Sequence, residues 1–204
     1  MTFISNGTTI LDNGAFSVGL GNMVLLNTAT ASSSASLSFN NTYINSTYPI
    51  YKFEFINLHP ATDSVAFGFN VSIDNGSNYN VAKTTTNFDS AHNEAGNDTA
   101  FGYAAGRDLA QGTGDQIFMG AGANLGADND QSISGTLNLF NPSSTTFIKH
   151  FIGRSHGSEY RDQAWSSFVA GYANTTSAIN AIQFQMSSGN IDSGQIKLYG
   201  IKGS

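Results

Sequence analysis

The feature that most constrains this chain is hydrophobic alternation at a period of two. In Val65-Ala66-Phe67-Gly68-Phe69-Asn70-Val71-Ser72-Ile73 the odd positions are large and apolar, and the even ones are small or polar. Successive side chains of an extended strand point to opposite faces, so the pattern predicts a half-buried strand in an antiparallel sheet. It stops at Asp74-Asn75-Gly76, residue types that accept the positive φ of a tight turn. Similar alternation marks Tyr51 to Phe55, Ser36 to Phe39, Ile133 to Leu139, Phe147 to Phe151 and Ile196 to Leu198. Asp115 to Met119, Ser166 to Tyr172 and Ala181 to Met186 are further candidates, for roughly eight to ten strands divided by Gly, Asn, Asp and Ser clusters. Helix signals are thin. Gly102 and Gly106 interrupt the alanines of residues 98–111, and residues 158–164 and 176–180 suit a turn at most. Without strands alternating with long helices, doubly wound sheets and TIM barrels are excluded. The predicted fold is all-β, an antiparallel β-sandwich, jelly-roll-like, with a short extended N-terminal arm.

The chain of 204 residues suits one domain with an added arm. Asn6-Gly7, Asp12-Asn13-Gly14 and Gly19-Leu20-Gly21 break its start into short apolar pieces, and residues 28–35 are a run of Ala, Ser and Thr that reads as a flexible connection. The expected organisation is an arm or hairpin with its connection over residues 1–35 and a β-sandwich over residues 36–204. The first segment reads equally as an arm laid along a neighbour and as a hairpin folded onto its own sandwich. In the arm reading Phe3, Ile4, Ile10, Leu11 and Phe16 have little core of their own, which makes them the candidate docking residues.

Composition removes several function classes. Eight Lys and Arg against fourteen Asp and Glu give a net charge of −6, which disfavours non-specific binding to nucleic acid or an anionic membrane. The absence of cysteine excludes disulfides, thiolate metal sites and cysteine nucleophiles together. The polar surface draws on Asn, Ser and Thr more than on Lys and Glu. That suits a rigid β-protein packed against identical neighbours, where long charged side chains would lose entropy on ordering. The N-terminus shows no basic stretch followed by an apolar run, and nothing approaches the ~20 apolar residues that span a bilayer. The expectation is synthesis in the cytoplasm without a signal peptide.

Catalytic patterns are weak. Gly153-Arg154-Ser155-His156-Gly157 matches the nucleophile-elbow pattern, but no amphipathic helix follows and no parallel sheet is predicted. Gly120-Ala121-Gly122-Ala123-Asn124-Leu125-Gly126 resembles a dinucleotide fingerprint with one residue too many before its last Gly. His59, His92, His150 and His156 form no metal-ligating pair. Asp74-Asn75-Gly76 and Asp128-Asn129-Asp130 offer oxygen ligands without the rest of a calcium loop. No catalytic residue, cofactor or metal is expected. Phe101, Tyr103, Tyr160 and Trp165 lie in or near predicted loops and are the candidates for a glycan-stacking platform.

The C-terminal third carries a resemblance. Ser177 to Phe184, then Ser188-Gly189-Asn190-Ile191, then Ser193-Gly194-Gln195-Ile196-Lys197-Leu198-Tyr199-Gly200-Ile201-Lys202 resemble the closing hairpin of a family of virion structural proteins of marine and cyanobacterial phages. Tyr48 to Ile56 match its early central strand, Asp74 to Tyr79 the following turn, and Gly135 to Ser143 a strand ending in the Asn141-Pro142 corner. The similarity spans residues 45–202, and the N-terminal segment departs from it. The resemblance implies a non-enzymatic structural protein on the outer surface of a phage particle. The first expectation is a capsid decoration (cement) protein, a homotrimer binding the major capsid protein and stabilising the head. The alternative is a tail fibre or receptor-binding protein that recognises a host glycan, and after it a soluble carbohydrate-binding module.

Overall fold

Each segment of apolar alternation contains strand, though Phe147–Ile148 and Phe118–Met119 fall outside it, and strand extends well beyond these segments. The computed structural model describes residues 2–12, 15–16, 22–120 and 122–203, and among them there are sixteen strands and no helix. The large sheet joins nine strands. Along one path lie β10 (Ala110–Gly112), β8 (Lys83–Asn93), β14 (Gln163–Ala173), β13 (Lys149–Glu159), β12 (Ile133–Phe140), β6 (Ile50–Pro60), β16 (Ile191–Ile201) and β4 (Met23–Thr30). β9 (Thr99–Tyr103) pairs with the outer half of β8. The small sheet runs β11 (Gln116–Ile117), β7 (Phe67–Ser72), β15 (Ala181–Met186) and β5 (Leu37–Phe39). Every pairing is antiparallel. The chain steps from sheet to sheet in the series β4, β5, β6, β7, β8, which gives the two-layer sandwich its jelly-roll-like character.

Aromatic rings fill the space between the layers. Phe53 and Phe55 from the large sheet meet Phe184, Phe67 and Phe69 from the small one, and Phe118 and Phe151 close the cluster. The Phe55–Phe118 and Phe69–Phe151 centroids are each 5.1 Å apart in edge-to-face arrangements, the geometry favoured by ring quadrupoles.

Three expectations need correction. β7 was expected to be half-buried, yet all six of its residues are buried, because the residues around Asp115 and the start of β8 cover its second face. Residues 28–35 were expected to be a flexible connection. Instead Thr28 and Thr30 pair with Lys197 and Gln195, and Ala31 donates its N–H to Gly194 O at 2.9 Å, so the sandwich begins near residue 23. The C-terminal segments were expected to form a hairpin, but β15 belongs to the small sheet and β16 to the large one, between β6 and β4. The Asp74-Asn75-Gly76 turn is present, with Asn75 and Gly76 at φ of 59° and 88°. Its Asp74 carboxylate accepts from Ser72 and Asn78, and these hydrogen bonds hold its pKa down to about 2.

At the N-terminus β1 (Phe3–Ser5), β2 (Thr8–Asp12) and β3 (Ala15–Phe16) form a third sheet. They pair with one another and, among the described residues, with no strand of the sandwich.

Candidate interaction surface

The outward faces of β8, β14 and β13 form the most distinctive surface of the molecule. Register places Thr84, Tyr172 and His150 in one row, Thr86, Ala170 and Ile152 in the next, and Phe88, Phe168 and Arg154 in a third. Phe88 and Phe168 stack with centroids 4.9 Å apart and planes 6° from parallel, and the Arg154 guanidinium lies 4.9 Å above the Phe168 ring. The His150 and Tyr172 rings meet edge to face at 6.2 Å. Between these groups runs a shallow trough in two parts, about 460 Å³ and about 320 Å³, which share Thr86, Ile152 and Ala170. Its floor is small because the cross-strand residues there are Ala170 and Gly171. Ile152 is 55% exposed at its centre, a large apolar side chain in water beside Asn138 on the neighbouring strand β12.

β9 extends the third row. Its pairing sets Tyr103 beside Phe88 and Phe101 beside Ser90, so both aromatics join the same surface. Phe101 is 81% exposed. The Tyr103 hydroxyl donates to Asp108 Oδ2 at 2.8 Å, which fixes the ring, raises the pKa of the phenol and lowers that of the carboxylate.

The reason for this outward aromatic face lies on the opposite side of the same strands. Residues 116–120 and 122–125 pass beneath them, and much of what they present is backbone. Ser155 donates to Phe118 O at 2.5 Å, and Asn87 Nδ2 to Met119 O at 3.3 Å. Arg107 reaches Gly120 O and Ala123 O, each at 3.2 Å, and Asn124 Oδ1 at 2.8 Å. Buried carbonyls need donors and close approach needs room, so Asn87 and Ser155 are polar and Gly153 and Gly157 small among the inward positions of β8 and β13, while Phe151 joins the aromatic cluster. Lys83, Thr85, Asn87 and Asp89 are all buried. Gly153 is required by space, since a Cβ there would sit 2.7 Å from Phe118 Cε1.

No family model, curated protein or solved structure matches this chain. Its candidate residues therefore stand on their placement alone.

Of the four expected platform residues the structure unites two, Phe101 and Tyr103. Trp165 is 7% exposed and points into the core from β14, between Ala91 and Gly157, so it cannot stack on a ligand from outside. Tyr160 lies in the β13–β14 turn against Arg161, apart from the trough. Phe88 and Phe168 were not singled out from sequence. Phe168 sits in a stretch whose apolar residues fall on both faces, and Phe88 sits in one whose inward face is polar.

Of the five expected docking residues Phe3 and Ile4 are 58% and 59% exposed in β1. Ile10, Leu11 and Phe16 have backbone places in β2 and β3, while their side chains lie outside the described residues.

The weak catalytic patterns dissolve into structure. Ser155 is buried in mid-strand, its hydroxyl committed to Phe118 O, with no strained turn to expose it. Among the described residues no group of three or more His, Asp or Glu gathers into a metal-sized cluster, and no helix is long and apolar enough to cross a membrane.

Proposed function

We propose that this protein is a structural component of a bacteriophage virion, a decoration protein bound to the outer face of the head by its N-terminal arm. The observation that carries the reading is the separate β1–β2–β3 sheet, whose strands pair with one another while Phe3 and Ile4 stay in water. Apolar side chains on an arm that, among the described residues, pairs with no strand of its own sandwich gain from burial against a partner, here the major capsid protein. Copies of the chain would meet as a trimer, which also covers sheet edges such as β4 that otherwise invite strand addition. The sequence resemblance supplies the phage context, and the net charge of −6 agrees with a partner other than nucleic acid.

The test is a population of particles made without the protein. They assemble but open at a lower temperature than complete particles, and added protein restores the difference. Protein with Phe3→Asp and Ile4→Asp fails to bind or restore. Unchanged heat resistance of the deficient particles sinks the reading.

A specific observation favours a second reading, a fibre or receptor-binding protein that recognises a host glycan. Phe101, Tyr103, Phe88 and Phe168 share one exposed surface with Arg154 and His156 close by, and sugar rings stack on such aromatic faces. Copy number separates the two, hundreds per particle for decoration against tens or fewer for a fibre. A soluble carbohydrate-binding module would use the same surface and be missing from purified particles. Glycan binding lost on Phe168→Ala supports the sugar readings, and an array without a hit removes them.

A further inference from the structure

Lys83 is a buried amine that the interaction surface does not use. It lies at the start of β8 with no exposed surface, where the large sheet meets the small one. Its Nζ donates to Asn70 Oδ1 at 2.6 Å and to Val81 O at 2.9 Å. Asn70, on β7, is itself buried and gripped at both ends of its amide. Oδ1 also accepts the Val71 N–H at 3.0 Å, while Nδ2 donates to Thr113 O at 2.9 Å and to Asp115 Oδ1 at 3.2 Å. The other oxygen of Asp115 accepts from Gln185 Nε2 at 2.8 Å, so the carboxylate is fixed. Burial lowers the pKa of Lys83 to about 8, against a smaller upward pull from Asp115. A neutral amine is thus within reach at mild pH. A nucleophile, a polarised carbonyl and a carboxylate on the leaving nitrogen meet here, the first two buried and Asp115 half-buried.

We propose that Lys83 and Asn70 join in an intramolecular isopeptide bond that ties the small sheet to the large one. The neutral Nζ attacks Cγ of Asn70, and the carbonyl π pair moves onto Oδ1, where the Val71 N–H holds the developing charge. Asp115 takes one proton from Nζ and passes it to Nδ2. The carbonyl re-forms, the Cγ–Nδ2 bond breaks and ammonia leaves. A primary amide and a primary amine become a secondary amide and ammonia, with no oxidant, reductant or co-reactant. The inference is independent of the virion reading, since it concerns only the interior of the sandwich.

The test is the intact mass of the folded full-length protein, followed by peptide mapping. The expected result is a mass lower than that of the sequence by one ammonia, with a branched peptide joining the segments that contain Lys83 and Asn70. Asp115→Asn, nearly equal in size and checked for fold by circular dichroism, retains the full mass, as does Lys83→Met. A folded wild-type protein of full mass overturns the proposal. So does an ammonia loss that maps to one linear peptide, such as a succinimide at Asn75-Gly76.

Discussion

Two halves of the large sheet share one pleat and differ in what covers them. Strands β12, β6 and β16 lie under the small sheet, with Leu137, Phe53, Phe55 and Leu198 pointing inward and Thr136, Asn138, Lys52, Glu54 and Lys197 outward. Strands β13, β14 and β8 lie largely over residues 116–120 and 122–125, and much of their pattern is reversed. Polar Ser155, Asn87 and Asp89 point inward, while Ile152, Phe168 and Phe88 point outward. A side-chain layer asks for apolar partners, whereas a backbone layer asks for donors and for room. The first half is held by packing. The second is held by hydrogen bonds and close approach, and its apolar side chains are left for a partner.

The largest effect is expected where rings meet between the sheets. Phe184 stands 5.2 Å from Phe53 and 5.3 Å from Phe55, centroid to centroid. Phe184→Ala should lower unfolding free energy by about 3–5 kcal/mol in chemical denaturation. A loss under about 1 kcal/mol would mean that the rings carry little of the fold.

Next comes the close approach in the other half. Gly153→Ala puts its methyl carbon 2.7 Å from Phe118 Cε1, with Thr136 O at 3.3 Å, so the ring has to shift within a packed cluster. The expected cost is about 1–3 kcal/mol from overpacking, read from the same denaturation curves. A neutral Gly153→Ala would contradict the tight seating of residues 116–120.

Ser155→Ala removes the donor to Phe118 O and should cost about 1 kcal/mol. Amide exchange should show residues 116–120 opening more readily, with the rings of the first half unaffected. Equal loosening of both halves would deny them separate supports.

The smallest stability change belongs to the outward aromatics. Phe168→Ala loses its stack on Phe88 and its contact with Arg154, worth about 0.5–1 kcal/mol together at an exposed site. Binding to whatever occupies this surface should fall far more than stability does. A large drop in stability with unchanged binding would make Phe168 a core residue and remove the trough as an interaction site.

Legibility in the sequence followed the same division. β12, β15 and the first half of β6 were read correctly because their inward residues are large and apolar and alternate cleanly. β8 escaped notice: in Lys83-Thr84-Thr85-Thr86-Asn87-Phe88-Asp89 the buried positions are the polar ones, and its Phe is outward. Trp165 was misplaced for a related reason. Its neighbours Ser166 and Ser167 give no sign of which face is covered, and a lone Trp beside a turn suits a loop as well as a core. Phe101 and Tyr103 were legible as exposed aromatics, but not as neighbours of Phe88, since their alignment depends on the β8–β9 register. No local signal linked Lys83 with Asn70, which lie on different sheets and meet only where β7 passes the start of β8.

Alternation and turn residues were enough to make this chain an antiparallel sandwich, because a period of two buries one face of a strand whatever its neighbours are. Which face is inward in β8, β13 and β14, and therefore where the aromatic surface lies, depended on residues 116–120 and 122–125 folding beneath them. That choice belongs to tertiary packing, since a strand can bury either face and the demands of the covering layer settle which one it buries.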